Sequence, residues 1–202
     1  MRSVMNMQLI DVRPVTERQW DDVVTVFGRR GSDQSWCWCR RFLAVPADQV
    51  AVPREARDNR AALRDEIVAA EVPPGLVAYV NGHPLGWTRV GPRDRFPGVS
   101  GNGALVRLLE PDPGAWWVTC FVVDGGARSQ GVGTALLRSA VAHARQHGAT
   151  CVEGHPVDVS LLKGDRVSPS AIFTGAMAMF VATGFQEVGR TYVSRPVMRV
   201  AF

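Results

Sequence analysis

The sequence predicts an α/β (α+β) chain: one mixed, mostly antiparallel, twisted sheet with a central β-α-β unit and about four flanking helices. Three observations carry this expectation. The run "AWWVTCFVV" at 115–123 is apolar on both faces, as a strand covered on both sides must be. A helical period over 132–147 follows, and "ATCVEGHPV" at 149–157 then reads as a second buried strand. Strands joined through a helix pair in parallel, whereas the other strand-like runs come in couples with short connections and pair antiparallel.

From the start of the chain, "QLIDVRPV" alternates as a strand, and Thr16 with Gln19 forms a capping-box pattern heading the helix "TERQWDDVVTVFGR". "CWCRRF" and a proline-containing connection lead to "REARDNRAALRDEIVAA", a polar-faced helix with Leu63, Ile67 and Val68 on its apolar side. "GLVAYVNGHPLGWTRV" is a hairpin turning at Asn81-Gly82, a pair that accepts positive φ. Residues 91–114, rich in Pro, Gly and Arg, read as a long loop. Gly148 stops the central helix. A short helix "AIFTGAMAMFVAT" ends at Gly184, and "FQEVGRTYVSRPVMRV" supplies two closing strands.

A chain of 202 residues, 46% hydrophobic and without a Pro/Gly/Ser-rich linker, reads as a single domain over 1–202. A net charge of +4 suits an acidic ligand such as a phosphorylated cofactor. The arginines are spread along the chain rather than gathered in a tract, so no nucleic-acid partner is expected. No apolar run approaches the roughly 20 residues of a membrane span, and none is expected to meet a membrane. The opening "MRSVMNMQLIDVRP" lacks a sustained apolar core, so the expectation is a cytoplasmic protein whose four cysteines are reduced.

The stretch "DGGARSQGVGTALLRSAV" at 124–141 places glycines between a strand and a helix, where backbone N–H groups and the helix dipole favour an anion. A P-loop would need Lys and Ser/Thr after its last glycine, but Val132 follows Gly131. A dinucleotide fingerprint would need a third glycine where Leu136 stands. What remains is Arg128-Ser129-Gln130-Gly131-Val132-Gly133, the pattern R-x-x-G-x-G, able to surround a pyrophosphate with N–H groups, clear space for it and add a charge.

With this pattern, the preceding strand "TCFVVD" and the downstream "AMAMFVATGFQEVGR", the chain resembles the GNAT superfamily of acyl-CoA-dependent N-acetyltransferases over roughly residues 75–200. "CWCRRF", "VEGHPV" and "RPVMR" are further similar to a little-characterised bacterial branch of it. The resemblance implies acetyl-CoA as co-substrate, held by Phe121, Val122, Val123, Arg128, Ser129, Gln130, Gly131, Val132, Gly133 and Thr134, with Val123 or Val122 offering a backbone N–H to the thioester oxygen. It implies a small-molecule amine as acceptor, and dimers are frequent in the family, so a homodimer is open. It also puts Phe180 where the family usually carries the tyrosine that protonates the leaving thiolate; Phe180 then packs on the cofactor or the core. Trp36, Trp38, Arg40 and Arg41 fall on the acceptor-side wall by the same resemblance, either as a surface selecting an anionic or aromatic substrate or as buried tryptophans with solvated arginines.

Amine acylation needs a neutral amine, and Glu153 and His155, two apart at the end of a strand, share a face as candidate bases. Each has a structural alternative, as does Asp124, which reads as a turn residue. Cys37 and Cys39 lack the second pair that zinc requires, so no metal is expected. Cys120 and Cys151 lie on strands expected to be adjacent and read as free, small apolar residues. The absence of a tyrosine at 180 keeps an alternative open, a catalytically inactive acyl-CoA sensor or interaction module.

Overall fold

The computed structural model describes residues 9–28, 37–40, 42–43, 58–162, 168 and 170–202. Thr16 and Gln19 open the first helix as predicted: Gln19 Oε1 accepts from the Thr16 N–H at 3.0 Å and from Thr16 Oγ1 at 2.8 Å. In chain order the strands and α-helices are β1 (Ile10–Pro14), α1 (Trp20–Phe27), α2 (Asn59–Ala69), β2 (Gly75–Val80), β3 (His83–Pro92), α3 (Pro97–Ser100), α4 (Gly103–Val106), β4 (Ala115–Val123), α5 (Val132–Gln146), β5 (Cys151–Gly154), α6 (Met177–Val181), β6 (Gln186–Tyr192) and β7 (Arg195–Ala201).

Among the described residues one seven-stranded sheet runs β1-β2-β3-β4-β5-β7-β6. Only β4 and β5, the two strands flanking α5, are parallel; the other pairs are antiparallel. The β2-β3 hairpin turns through Asn81 at φ 50° and Gly82 at φ 82°, the two positive values that match a hairpin's twist.

The apolar face of α5, with Val132, Leu136, Leu137, Ala140 and Ala144 at helical spacing, covers one face of the sheet against Leu76, Ala78, Val80, Trp116, Val118 and Val152. The other face carries Val23 and Phe27 of α1 and Leu63 and Ile67 of α2 on Val77, Tyr79 and Trp87. Burying each such side chain is worth about 1.5–3 kcal/mol, so α5 fixes the strands beneath it and with them the turn at its own N-terminus.

Three expectations are corrected. Val68 is exposed, because α2 turns only Leu63 and Ile67 inward. Residues 91–114 hold α3 and α4, each only one turn long, in which Val99 and Leu105 pack on Trp117; four residues are too few to show a period. The helix expected over 171–183 is limited to Met177–Val181, since Gly175 at φ 90° and the extended Ala176 break it.

Candidate functional site

β4 and β5 pair only along Ala115–Val118 and Cys151–Gly154. The β3-β4 register shifts by one residue between Arg89 and Val90, leaving Thr119 as an extra residue on β4. A bulge re-aims a strand. Beyond it β4 continues to Val123 with β3 on one side and no β5 on the other.

Alternation along this free edge decides which backbone groups it offers. Asp124 N–H donates to Leu85 O across the β3 side, so Val122 and Cys120 face β3 too, while Phe121 and Val123 face the gap. Phe121 N–H is taken by Phe173 O at 2.7 Å, and Arg128 Nε donates to Val123 O at 3.3 Å. Of the two residues proposed as N–H donors, Val123 is therefore the one directed into the gap.

Where the gap opens lies a cavity of about 810 Å³. One end is the glycine turn, lined by Arg128, Ser129, Gly131, Val132, Gly133 and Thr134. Ser129 at φ 59° and Gly131 at φ 85° turn the chain twice through the left-handed region, a conformation that gathers N–H groups for an anion at the start of α5. Asp124 is the turn residue expected, its Oδ1 accepting from Gly126 N–H at 2.8 Å. Phe121, Val122 and Val123 line the middle. Phe27, Ile172, Phe173, Cys37, Cys39 and Cys120 line the far end.

Two of the residues named for the cofactor are absent from the cavity wall. Gln130 is exposed and braces the turn through Gly126 O at 2.5 Å. Phe180 is fully buried, edge-on to Phe121 and Phe185 at ring separations of 6.2 and 4.9 Å, and does not line the cavity.

Neither Glu153 nor His155 lines the cavity. Glu153 is 1% exposed, with Oε2 2.7 Å from Arg93 Nη1 and Oε1 3.9 Å from Arg199 Nη1. Burial pushes its carboxyl above the ordinary value, against the pull of those two arginines. His155 Nε2 lies 2.7 Å from Thr191 Oγ1, and burial, helped by the charge of Arg195, lowers its pKa to about 4.

On the acceptor side, Trp36 and Arg41 lie outside the described residues. Trp38 is fully buried, stacked on Phe27 with ring centres 4.7 Å apart, and Arg40 is half-buried; neither lines the cavity.

The sequence reading missed the far wall. Cys39 and Cys120 are joined in a disulfide with Cα atoms 6.5 Å apart, which corrects the expectation of reduced thiols and of a free Cys120. Eighty-one positions separate the two, and no spacing rule connects them. Cys151, on the strand next to β4 as expected, is free and buried. Among the described residues no group of three or more His, Cys, Asp or Glu could hold a metal ion. No described helix is long and apolar enough to cross a membrane.

A search of curated proteins gives no match. Among solved structures, the GNAT domain of S. lividans PAT superposes with a TM-score of 0.54 at 14% identity, covering 95% of this chain and 89% of that one. The PaiA N-acetyltransferase from Thermoplasma acidophilum, solved with coenzyme A, gives 0.51 at 11% identity over 96% and 99%. Aminoglycoside acetyltransferase AAC(6')-Ib, also solved with coenzyme A, gives 0.54 at 17% identity over 96% and 95%. At these identities the likeness is one of fold. The model of the acetyltransferase (GNAT) family matches residues 35–158, a range that includes the glycine turn and β5, and the chain belongs to that family of acyltransferases.

Proposed function

We propose that the protein transfers the acetyl group of acetyl-CoA to a primary amine of a small molecule or peptide, by direct attack within a ternary complex. The observation that carries this reading is one cavity joining the anion-gathering turn at the start of α5 to the free edge of β4. Arg128, Ser129, Gly131, Val132, Gly133 and Thr134 would hold the pyrophosphate, and Phe121, Val122 and Val123 would lie along the pantetheine arm. Val123 N–H would meet the thioester oxygen as it becomes an oxyanion, a contact that strengthens only as charge develops. Acetyl-CoA is a cytoplasmic thioester, so the reading assigns the reaction to the cytoplasm.

Glu153 and His155 receive no proton-transfer role in this proposal. Arg93 occupies the Glu153 carboxylate, and His155 stays neutral within its contact to Thr191. Among the described lining residues, the side chains able to carry a proton are Cys37, Ser129, Thr134 and Ser170, with Arg128 permanently charged. The amine then enters neutral or loses its proton to water, and catalysis rests on orientation and the Val123 N–H.

A second reading is favoured by one specific observation: Phe180 is core, and no carboxylate, imidazole or phenol lines the cavity among the described residues. An acyl-CoA-binding module would have no use for such groups. Thiol release from acetyl-CoA, followed across a panel of primary amines, separates the two: amine-dependent release supports the transferase, and binding without release by any amine supports the module.

A further inference from the structure

The cavity that begins at the glycine turn ends on sulfur. Cys39 and Cys120 are each only 4% exposed, and what they expose faces this cavity together with the free thiol of Cys37. Cys120 lies three positions before Val123 on β4, about 10 Å along an extended strand. A cofactor anchored by its pyrophosphate at the start of α5 and laid along β4 runs towards Cys120, and once the acetyl group has left, its thiol reaches Cys120 by advancing along the strand past Val123.

The surroundings also favour one direction of attack. Trp87 Nε1–H lies 3.0 Å from Cys39 Sγ and would stabilise the Cys39 thiolate as a leaving group. Arg89 stands opposite Cys120 in the ladder, on the face it shares with Trp87. Its guanidinium is 1% exposed and ion-paired to Glu66, yet Nε and Nη1 have no hydrogen-bond partner among the described residues. A buried cation with spare N–H groups beside a disulfide suits a thiolate formed there.

We propose that the Cys39–Cys120 disulfide is an exchange site for the thiol of coenzyme A, the product of the acetyl transfer proposed above and bound by the same turn; the inference rests on that reading. The CoA thiol loses its proton to water, and the thiolate attacks Cys120 Sγ. The Cys39–Cys120 bond breaks, a CoA–Cys120 disulfide forms, and Cys39 leaves as the thiolate. One disulfide replaces another, so no oxidant is needed. The exchange also unties residues 37–40 from β4. Cys37, two residues before Cys39, resolves the adduct by attacking Cys120 Sγ in turn, which forms a Cys37–Cys120 disulfide and releases CoA.

The test uses Cys37→Ser, with the remaining disulfide verified by thiol counting and iodoacetamide present to cap the Cys39 thiolate as it leaves, since Cys39 would otherwise reverse the exchange. Intact mass under non-reducing conditions should show one CoA per chain, removed by dithiothreitol and mapped to Cys120. Glutathione at equal concentration should react on the order of 100-fold more slowly, since it lacks the anchoring site. Desulfo-CoA, which has no thiol, reports the underlying binding by calorimetry, and Cys120→Ser should keep that binding and lose the adduct. Desulfo-CoA binding without an adduct from CoA, or glutathione reacting as fast as CoA, overturns the exchange site. Failure of desulfo-CoA to bind overturns the CoA reading beneath it.

Discussion

Arg93 Nη1 meets Glu153 Oε2 at 2.7 Å, joining the connection after β3 to the parallel strand β5 through a carboxylate that is 1% exposed. Arg93 Nη2 also donates to Glu110 O at 2.8 Å, and Arg199 Nη2 reaches Asp112 Oδ2 at 3.1 Å, so the pair anchors the 91–114 segment to the sheet. Breaking a buried ion pair from one side strands the other charge, at about 3–5 kcal/mol. Arg93→Ala should lose stability of that order in denaturant unfolding, while Glu153→Gln, still able to hydrogen-bond, should lose less. Neither should move the pH profile of turnover, which a catalytic Glu153 would require.

Gly131 carries φ 85°, and a Cβ there would meet nothing nearer than Ile10 Cδ1 at 3.9 Å. Space in the fold is available, so the cost of Gly131→Val lies mainly in its backbone, about 1–2 kcal/mol. Its side chain would project where N–H groups need to approach a phosphate. Acetyl-CoA affinity measured by calorimetry should fall at least ten-fold, more than the stability loss explains.

Restoring the family's usual tyrosine should not help. A Cβ added at Gly154 would lie within 3.0 Å of the Phe180 ring's Cε1 and Cζ, so a hydroxyl on that ring is pressed against β5 without a partner. Phe180→Tyr should cost about 1–3 kcal/mol and leave amine-dependent thiol release no faster. A marked acceleration would move this ring from the core to the chemistry.

His155 carries a testable sign. Its pKa in the folded protein is about 4 against an ordinary 6.5, so between these values the unfolded chain binds the extra proton. Stability should be fully present above pH 6.5 and decline as pH falls towards 4. The ring is partly exposed, which limits the His155 share to on the order of 1–3 kcal/mol. His155→Gln, keeping a partner for Thr191, should flatten that part of a stability-against-pH curve.

Local patterns made much of this legible. Apolar runs at 115–123 and 149–157 around a helical period give the parallel pair, and Arg128, Gly131 and Gly133 give the turn, because each is written within a few consecutive residues. Contacts between distant segments were not legible. The spacing of Glu153 and His155 says that they share a strand face, but Arg93, sixty positions earlier, decides what Glu153 does there. Cys39 and Cys120 each look like an ordinary small residue until the fold brings them to one wall. The segment at 171–176 has helical composition, yet its Phe173 carbonyl serves the free edge of β4, a role that no local propensity encodes.

The central claim is that the turn Arg128–Thr134 and the edge of β4 bind one acyl-CoA. Titration calorimetry of the wild-type protein with acetyl-CoA tests it most directly. The account predicts one molecule bound per chain with a Kd of about 100 μM or tighter. No saturable binding at high micromolar acetyl-CoA would contradict it.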